Sequence, residues 1–143
     1  MSSIPCPTPT VTPETAPFWR AAAEGRLVLQ SCDSCGTVIW YPRSVCPMCS
    51  SRSLVWQEAT GVGRIYSFTI VHRGQGEYGE SNPYVLAFVE LDEGPRIITN
   101  ILDAELDDLE IGARVEAMFQ VVSGECGLVR FRLAPKDDNK VGN

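Results

Sequence analysis

Four cysteines constrain this chain more than any other feature. Cys32-Asp33-Ser34-Cys35 is followed by ten residues and then by Cys46-Pro47-Met48-Cys49. A Cys-x-x-Cys turn aims two sulfurs at one point, and two such turns close a tetrahedral thiolate cage. Paired turns at short range are a specific signal, whereas one alone is weak. Zinc is the leading ion. Iron accepts the same four thiolates, so the ligands by themselves leave that choice open. A redox Cys-x-x-Cys works alone, at a helix N-terminus after a strand. No helical pattern follows Cys35 or Cys49, and Val38 to Tyr41 has the character of a short strand. Gly36 offers freer backbone after the first pair. Ser50 holds the matching place after the second, so the two turns are expected to be non-equivalent. Pro42 and Pro47 stiffen the connection.

Four sulfurs fill a tetrahedral shell and leave no position for water or substrate, so the ion is expected to be structural. His72, the one histidine, lies 23 residues beyond Cys49 and is not needed as a ligand. Cys6 lies in a proline-rich start and Cys126 near a hairpin. Residues 1–15 carry no secretory hydrophobic segment, and no run is long enough to cross a bilayer. Reduced thiolates and metal binding suit the cytoplasm, which is the expected location. Residues 1–60 carry four basic and four acidic side chains, whereas residues 61–143 carry eight and fourteen. The whole formal charge of −6 therefore belongs to the second part. That acidity removes the phosphate-attracting surface of a nucleic-acid binder.

The pattern predicts a mainly β chain in four parts. Residues 1–15 form a proline-rich tail with little to bury, expected to be flexible. Residues 16–60 hold a short helix and the metal ribbon. The helix runs from Ala16 or Pro17 to Glu24, capped by Thr15 and stopped at Gly25. Leu27 to Gln30, Val38 to Tyr41 and Leu54 to Gln57 are the ribbon strands, whose small core leans on the metal for stability. Residues 61–134 form a strand-rich module, and 135–143 a polar tail. In that module Tyr66, Phe68, Ile70 and His72 are expected to share one face of the first strand, with a bend near Tyr66 and Phe68. Strands Tyr84 to Leu91 and Arg96 to Leu102 follow, joined by a turn at Asp92-Glu93-Gly94. Val115, Ala117, Phe119 and Val121 are expected to be buried. On the last strand Val129, Phe131 and Leu133 point inward, and Arg130 and Arg132 outward. Five strands of this kind close a small barrel or form an open sandwich, and alternation alone does not separate the two.

Several local motifs now carry a resemblance. They are Phe18-Trp19-Arg20, Gly25-Arg26-Leu27, the four cysteines, Pro42-Arg43, Tyr66-Ser67-Phe68-Thr69, Pro83-Tyr84 and Glu90 to Arg96. Together, over about residues 16–134, they resemble the DUF35 family. The resemblance implies a short N-terminal helix, a rubredoxin-like zinc ribbon and a five-stranded OB-fold barrel. It also implies a CoA-linked role beside a thiolase-like protein subunit in a hetero-oligomer. Some such proteins are similar to the accessory component of steroid side-chain aldolase complexes. The implied activity is retro-aldol cleavage of a steroid or lipid side-chain CoA ester, residing in a lyase or acyltransferase complex and absent from this chain alone.

No self-contained catalytic set is present, so no catalytic residue is assigned. Phe18, Trp19, Tyr66, His72, Arg73 and Tyr84 are the candidates for a substrate or partner surface. Each also has a plain structural role: core packing for the aromatics, a strand-end hydrogen bond for His72. Asp92 and Glu93 suit a hairpin turn better than paired carboxylate catalysis. Asp103 to Glu110 lacks the ligand order of a calcium loop. Gly74 to Gly79 lacks the lysine and hydroxyl of a phosphate loop, and the isolated Arg43, Arg73 and Arg96 do not define a nucleotide site. Two alternatives stand beside the accessory subunit: a zinc-ribbon and OB-fold nucleic-acid-binding protein, and an acyl-CoA-binding enzyme acting alone. Neither nucleic acid nor membrane is the expected partner.

Overall fold

The computed structural model describes residues 4–80 and 83–135. Helix α1 (Ala16–Ala23) is followed by a three-stranded antiparallel sheet with β1 (Val28–Cys32) between β2 (Val38–Ile39) and β3 (Leu54–Glu58). Five longer strands then close a barrel: β4 (Val62–Val71), β5 (Tyr84–Leu91), β6 (Arg96–Leu102), β7 (Arg114–Ser123) and β8 (Cys126–Leu133). Their order is β4-β5-β6-β8-β7, with β7 returning to β4. The β6–β8 pair is parallel and the other neighbours are antiparallel. Closure gives every barrel strand two neighbours, which removes the sandwich alternative.

Alternation fills the barrel. Val85, Ala87, Val89 and Leu91 of β5 point inward with Ile65, Ile97, Ile101, Val115 and Phe131, all buried. Phe18 joins this core from α1. Gly127 lets the helix approach so closely: a Cβ there would lie 2.7 Å from the Ala22 carbonyl carbon and the Ala23 nitrogen.

Several expectations need correction. Thr15 does not cap α1 with its side chain; its hydroxyl pairs with Thr12, which begins the turn before the helix. A bulge between Ile65 and Ser67 breaks the alternation of β4. Ile65 and Phe68 both pack on the core, while Tyr66 is 47% exposed, so Tyr66 and Phe68 do not share a face. The bulge supplies the bend expected at that point without a glycine. Val121 is 61% exposed, because it lies at the far end of β7, near the turn into β8. Arg130 is buried rather than outward, and its Nη2 donates to the Pro5 carbonyl at 2.6 Å. The first residues are therefore not without burial: Ile4 is buried too.

Candidate metal centre and surrounding surfaces

The two cysteine turns fold alike. In the first, Gly36 N–H donates to Cys32 O and Cys32 N–H to Thr37 O, each at 2.8 Å; in the second, Ser50 N–H donates to Cys46 O at 3.0 Å and Cys46 N–H to Ser51 O at 2.8 Å. Gly36 has φ 78° and Ser50 φ 65°. The expected non-equivalence is thus corrected: serine takes the left-handed conformation that glycine takes in the first turn, because the metal-directed loop demands it.

The four sulfurs converge, all within 4.8 Å of one another. Cys32 and Cys49 Sγ are 3.5 Å apart, and Cys35 and Cys46 Sγ 3.7 Å. Sulfurs about 2.3 Å from a tetrahedral zinc would be separated by about 3.8 Å, so the cage has the right size. Cys32 and Cys46 are buried, and Cys35 and Cys49 exposed. The Thr37 hydroxyl and backbone draw the Cys35 thiol down to about 6. The Ser51 backbone favours the Cys49 thiolate, yet Cys32, burial, Cys35 and Cys46 together push Cys49 up to about 12. Four thiolates at this spacing conflict electrostatically, and a cation at their centre removes the conflict. The arrangement suits a closed structural zinc site with no position for substrate.

The proposed surface residues do not form one cluster. His72 and Arg73 are exposed just beyond β4, at the same end of the barrel as half-buried Tyr84, whose ring lies 5.4 Å from that of Tyr78. Tyr66 stands apart at the bulge, with the Arg96 guanidinium 3.9 Å from its ring centre. Arg96 also pairs with Glu90 at 3.0 Å. Phe18 is in the core, edge-on to Trp19 at 4.9 Å and to Trp40 at 5.0 Å, so it supports those rings instead of offering surface. Asp92 holds Arg114 through both carboxylate oxygens, at 2.9 and 3.1 Å, and Glu93 accepts from Thr60 N–H, so the turn carboxylates are structural.

Two concavities flank these groups. A cleft of about 450 Å³ separates ribbon from barrel, but its Arg26 and Arg132 are already paired with Glu24 and Glu116. An aromatic pocket of about 240 Å³ is lined by Trp19, Trp40, Tyr78, Ile98 and Arg130. Burial pushes the Arg130 guanidinium below its ordinary value, opposed by Tyr78 and Cys6. Sequence reasoning missed Arg130, Leu86, Phe88 and Ile98. For Leu86 and Phe88 the available signal was the run Tyr84 to Val89, which is apolar on both faces.

With this geometry in view, the comparisons with known proteins are specific. Residues 19–55 match the ChsH2 rubredoxin-like zinc ribbon domain, and residues 56–120 match the ChsH2 C-terminal OB-fold domain. The chain belongs to the DUF35 family. It is 35% identical over 129 residues to a DUF35 domain-containing scaffold protein of Methanothermobacter thermautotrophicus, covering 86% of this chain and 97% of the relative. It is 36% identical over 134 residues to a probable enoyl-CoA hydratase alpha subunit of Thermomonospora curvata, covering 93% of this chain but 42% of that protein. Over 85 residues, 59% of this chain and 56% of the relative, it is 29% identical to the benzoylsuccinyl-CoA thiolase subunit BbsA of Geobacter metallireducens. The solved Ltp2-ChsH2(DUF35) aldolase contains a chain 36% identical to this one, with a TM-score of 0.77, covering 87% of this chain and 98% of that one. The family assignment agrees with the zinc ribbon and OB-fold observed here. Among the described residues no helix is long and apolar enough to cross a membrane.

Proposed function

We propose that this DUF35 chain is a non-catalytic, zinc-stabilised accessory subunit of a thiolase-like complex that processes acyl-CoA esters. The observation that carries the reading is the near-complete match to the DUF35 chain of a solved aldolase, which covers 98% of that chain. One feature of the site agrees with it: four convergent sulfurs fill a tetrahedral shell and leave no position for substrate at the metal. The complex would cleave a carbon–carbon bond in a steroid or lipid side-chain CoA ester by a retro-aldol step. The chain would position the partner's substrate channel, since placement alone contributes to rate. Trp19, Tyr66, His72, Arg73 and Tyr84 are its proposed contacts, with Phe18 holding Trp19 in place. The reduced cysteines and the thiolate cage suit a cytoplasmic setting.

The test is native affinity capture of the full chain, mass spectrometry of what it holds, and an acyl-CoA cleavage assay on the recovered complex. A thiolase-like protein, with turnover only when both are present, is the expected result. Turnover by the purified chain alone would refute the accessory role.

A further inference from the structure

The barrel carries an apolar face outside its core. Among the described residues ten large hydrophobics are at least a third exposed, and four of them lie together: Tyr66 at 47%, Leu86 at 37%, Phe88 at 45% and Ile98 at 57%. The register makes them neighbours, because Phe88 is paired with Ser67 on one side and with Ile98 on the other, while Leu86 is paired with Thr69. Leu86, Phe88 and Ile98 line a shallow groove of about 190 Å³ with Ser67 and Thr69, and Tyr66 stands beside it at the bulge. Ile98 also lines the Trp19–Trp40–Tyr78 pocket, so groove and pocket meet at that side chain. At the pocket end, Trp19 Nε1 and Arg130 Nη1 are buried with no hydrogen-bond partner among the described residues.

Size and charge narrow the choice of occupant. Side chains of this kind present about 150–250 Å² each when fully exposed, so the four show on the order of 350 Å². That equals the largest patch on a typical monomer and supplies nearly half of the roughly 800 Å² that a stable interface buries on each partner. Outer faces of OB barrels also bind nucleic acid through stacking aromatics in a basic groove. Here Arg96, which lies over Tyr66, is held by Glu90 at 3.0 Å, and residues 61–143 carry fourteen acidic side chains against eight basic ones. Tyr, Trp, Phe and Arg in an uncharged centre are what a protein interface concentrates.

We infer that the outer face of β4-β5-β6, running from Tyr66 through Phe88 and Ile98 to the Trp19–Trp40 pocket, is the docking surface for the thiolase-like subunit. This rests on the function proposed above and goes beyond it by choosing the surface. Phe88 and Ile98 form the apolar centre, and the partner brings an acceptor to the pocket end, where two buried donors lack one.

The test uses the full chain and the thiolase-like protein recovered by native capture, each then purified. Binding is measured by titration calorimetry for the original chain and for Phe88→Glu, Ile98→Ser and the control Val121→Glu, which sits 61% exposed on β7. Thermal melts confirm that each variant folds. The expected result is at least a hundredfold loss for Phe88→Glu, about tenfold for Ile98→Ser, and less than twofold for the control. Unchanged affinity in both face variants overturns the surface assignment and leaves the accessory role standing. Capture of no thiolase-like protein overturns both. A homodimer that Phe88→Glu dissociates, or salt-sensitive oligonucleotide binding that it abolishes, overturns the choice of occupant.

Discussion

Gly127→Ala should lift α1 off the barrel. The added Cβ would sit 2.7 Å from the Ala22 carbonyl carbon, 2.7 Å from the Ala23 nitrogen and 2.8 Å from the Ala22 oxygen. All three are backbone atoms, so no side-chain rotation relieves the overlap. Restoring an ordinary separation of about 3.5–4.0 Å requires helix and β8 to part by about 1 Å. Overpacking of this kind costs about 1–3 kcal/mol. The displaced helix carries Phe18, Ala21 and Ala22, all buried, and full burial of a phenylalanine side chain is worth about 1.5–3 kcal/mol. A loss of about 2 kcal/mol is therefore expected, which lowers the melting temperature by about 4–10 °C in a chain of this size. Gly124→Ala is the control, since a Cβ there meets nothing within 4 Å. Differential scanning fluorimetry reads the stability, and tryptophan emission reports the surroundings of Trp19 and Trp40. A Gly127→Ala protein that melts with the original chain and has unchanged emission would refute the close-approach argument.

Three further outcomes follow from the ribbon and the hairpin. Metal analysis should find about one zinc per chain, and Cys46→Ala, which removes a buried ligand, should release it and unfold the ribbon while the barrel's far-UV signal persists. Ser50→Gly should leave the ribbon as stable or up to about 1 kcal/mol more stable, read as slower zinc transfer to a chelator, because φ 65° strains serine and suits glycine. Arg114 draws the Asp92 carboxyl below its ordinary value by hydrogen bonding and charge. Its contribution is therefore present above the usual carboxylate range near pH 4 and is lost as pH falls through the lower folded value. Both side chains are substantially exposed, so Asp92→Asn should cost no more than about 1 kcal/mol at pH 7. The difference should shrink in melts taken to progressively lower pH, as protonation of Asp92 removes that charge.

What could be read from the sequence depended on how local each determinant is. The four-sulfur cage was legible, because each half is specified by four consecutive residues and the tetrahedral shell by their pairing, but the left-handed Ser50 that makes the second turn match the first was not. Strand positions were legible wherever one face is apolar, as in Val85, Ala87, Val89 and Leu91. Barrel closure was not legible in alternation and entered only through the family resemblance, since it turns on the β6–β8 parallel pairing of Ile101 with Phe131, which no hairpin encodes. The bulge at Tyr66 escaped because Tyr66 and Phe68 are alike in character, and only the partner strand decides which one is skipped. Arg130 escaped for a related reason. Its hydrogen-bond partner is the Pro5 carbonyl, 125 residues away, and a lone arginine between Val129 and Phe131 has the same pattern whether or not something covers it.

The apolar residues on the second face of β5 were visible but had no use in a barrel argument. A closed barrel has one interior, and β5 spends Val85, Ala87, Val89 and Leu91 on it. Leu86 and Phe88 therefore stay 37% and 45% exposed in the isolated chain, and they and Ile98 stand side by side on adjacent strands. Scattered exposed hydrophobics need no explanation, as with Met48 on the ribbon. A contiguous group in register does. The barrel's core supplies none, whereas the docking face inferred above does, by giving those side chains a second molecule to pack against.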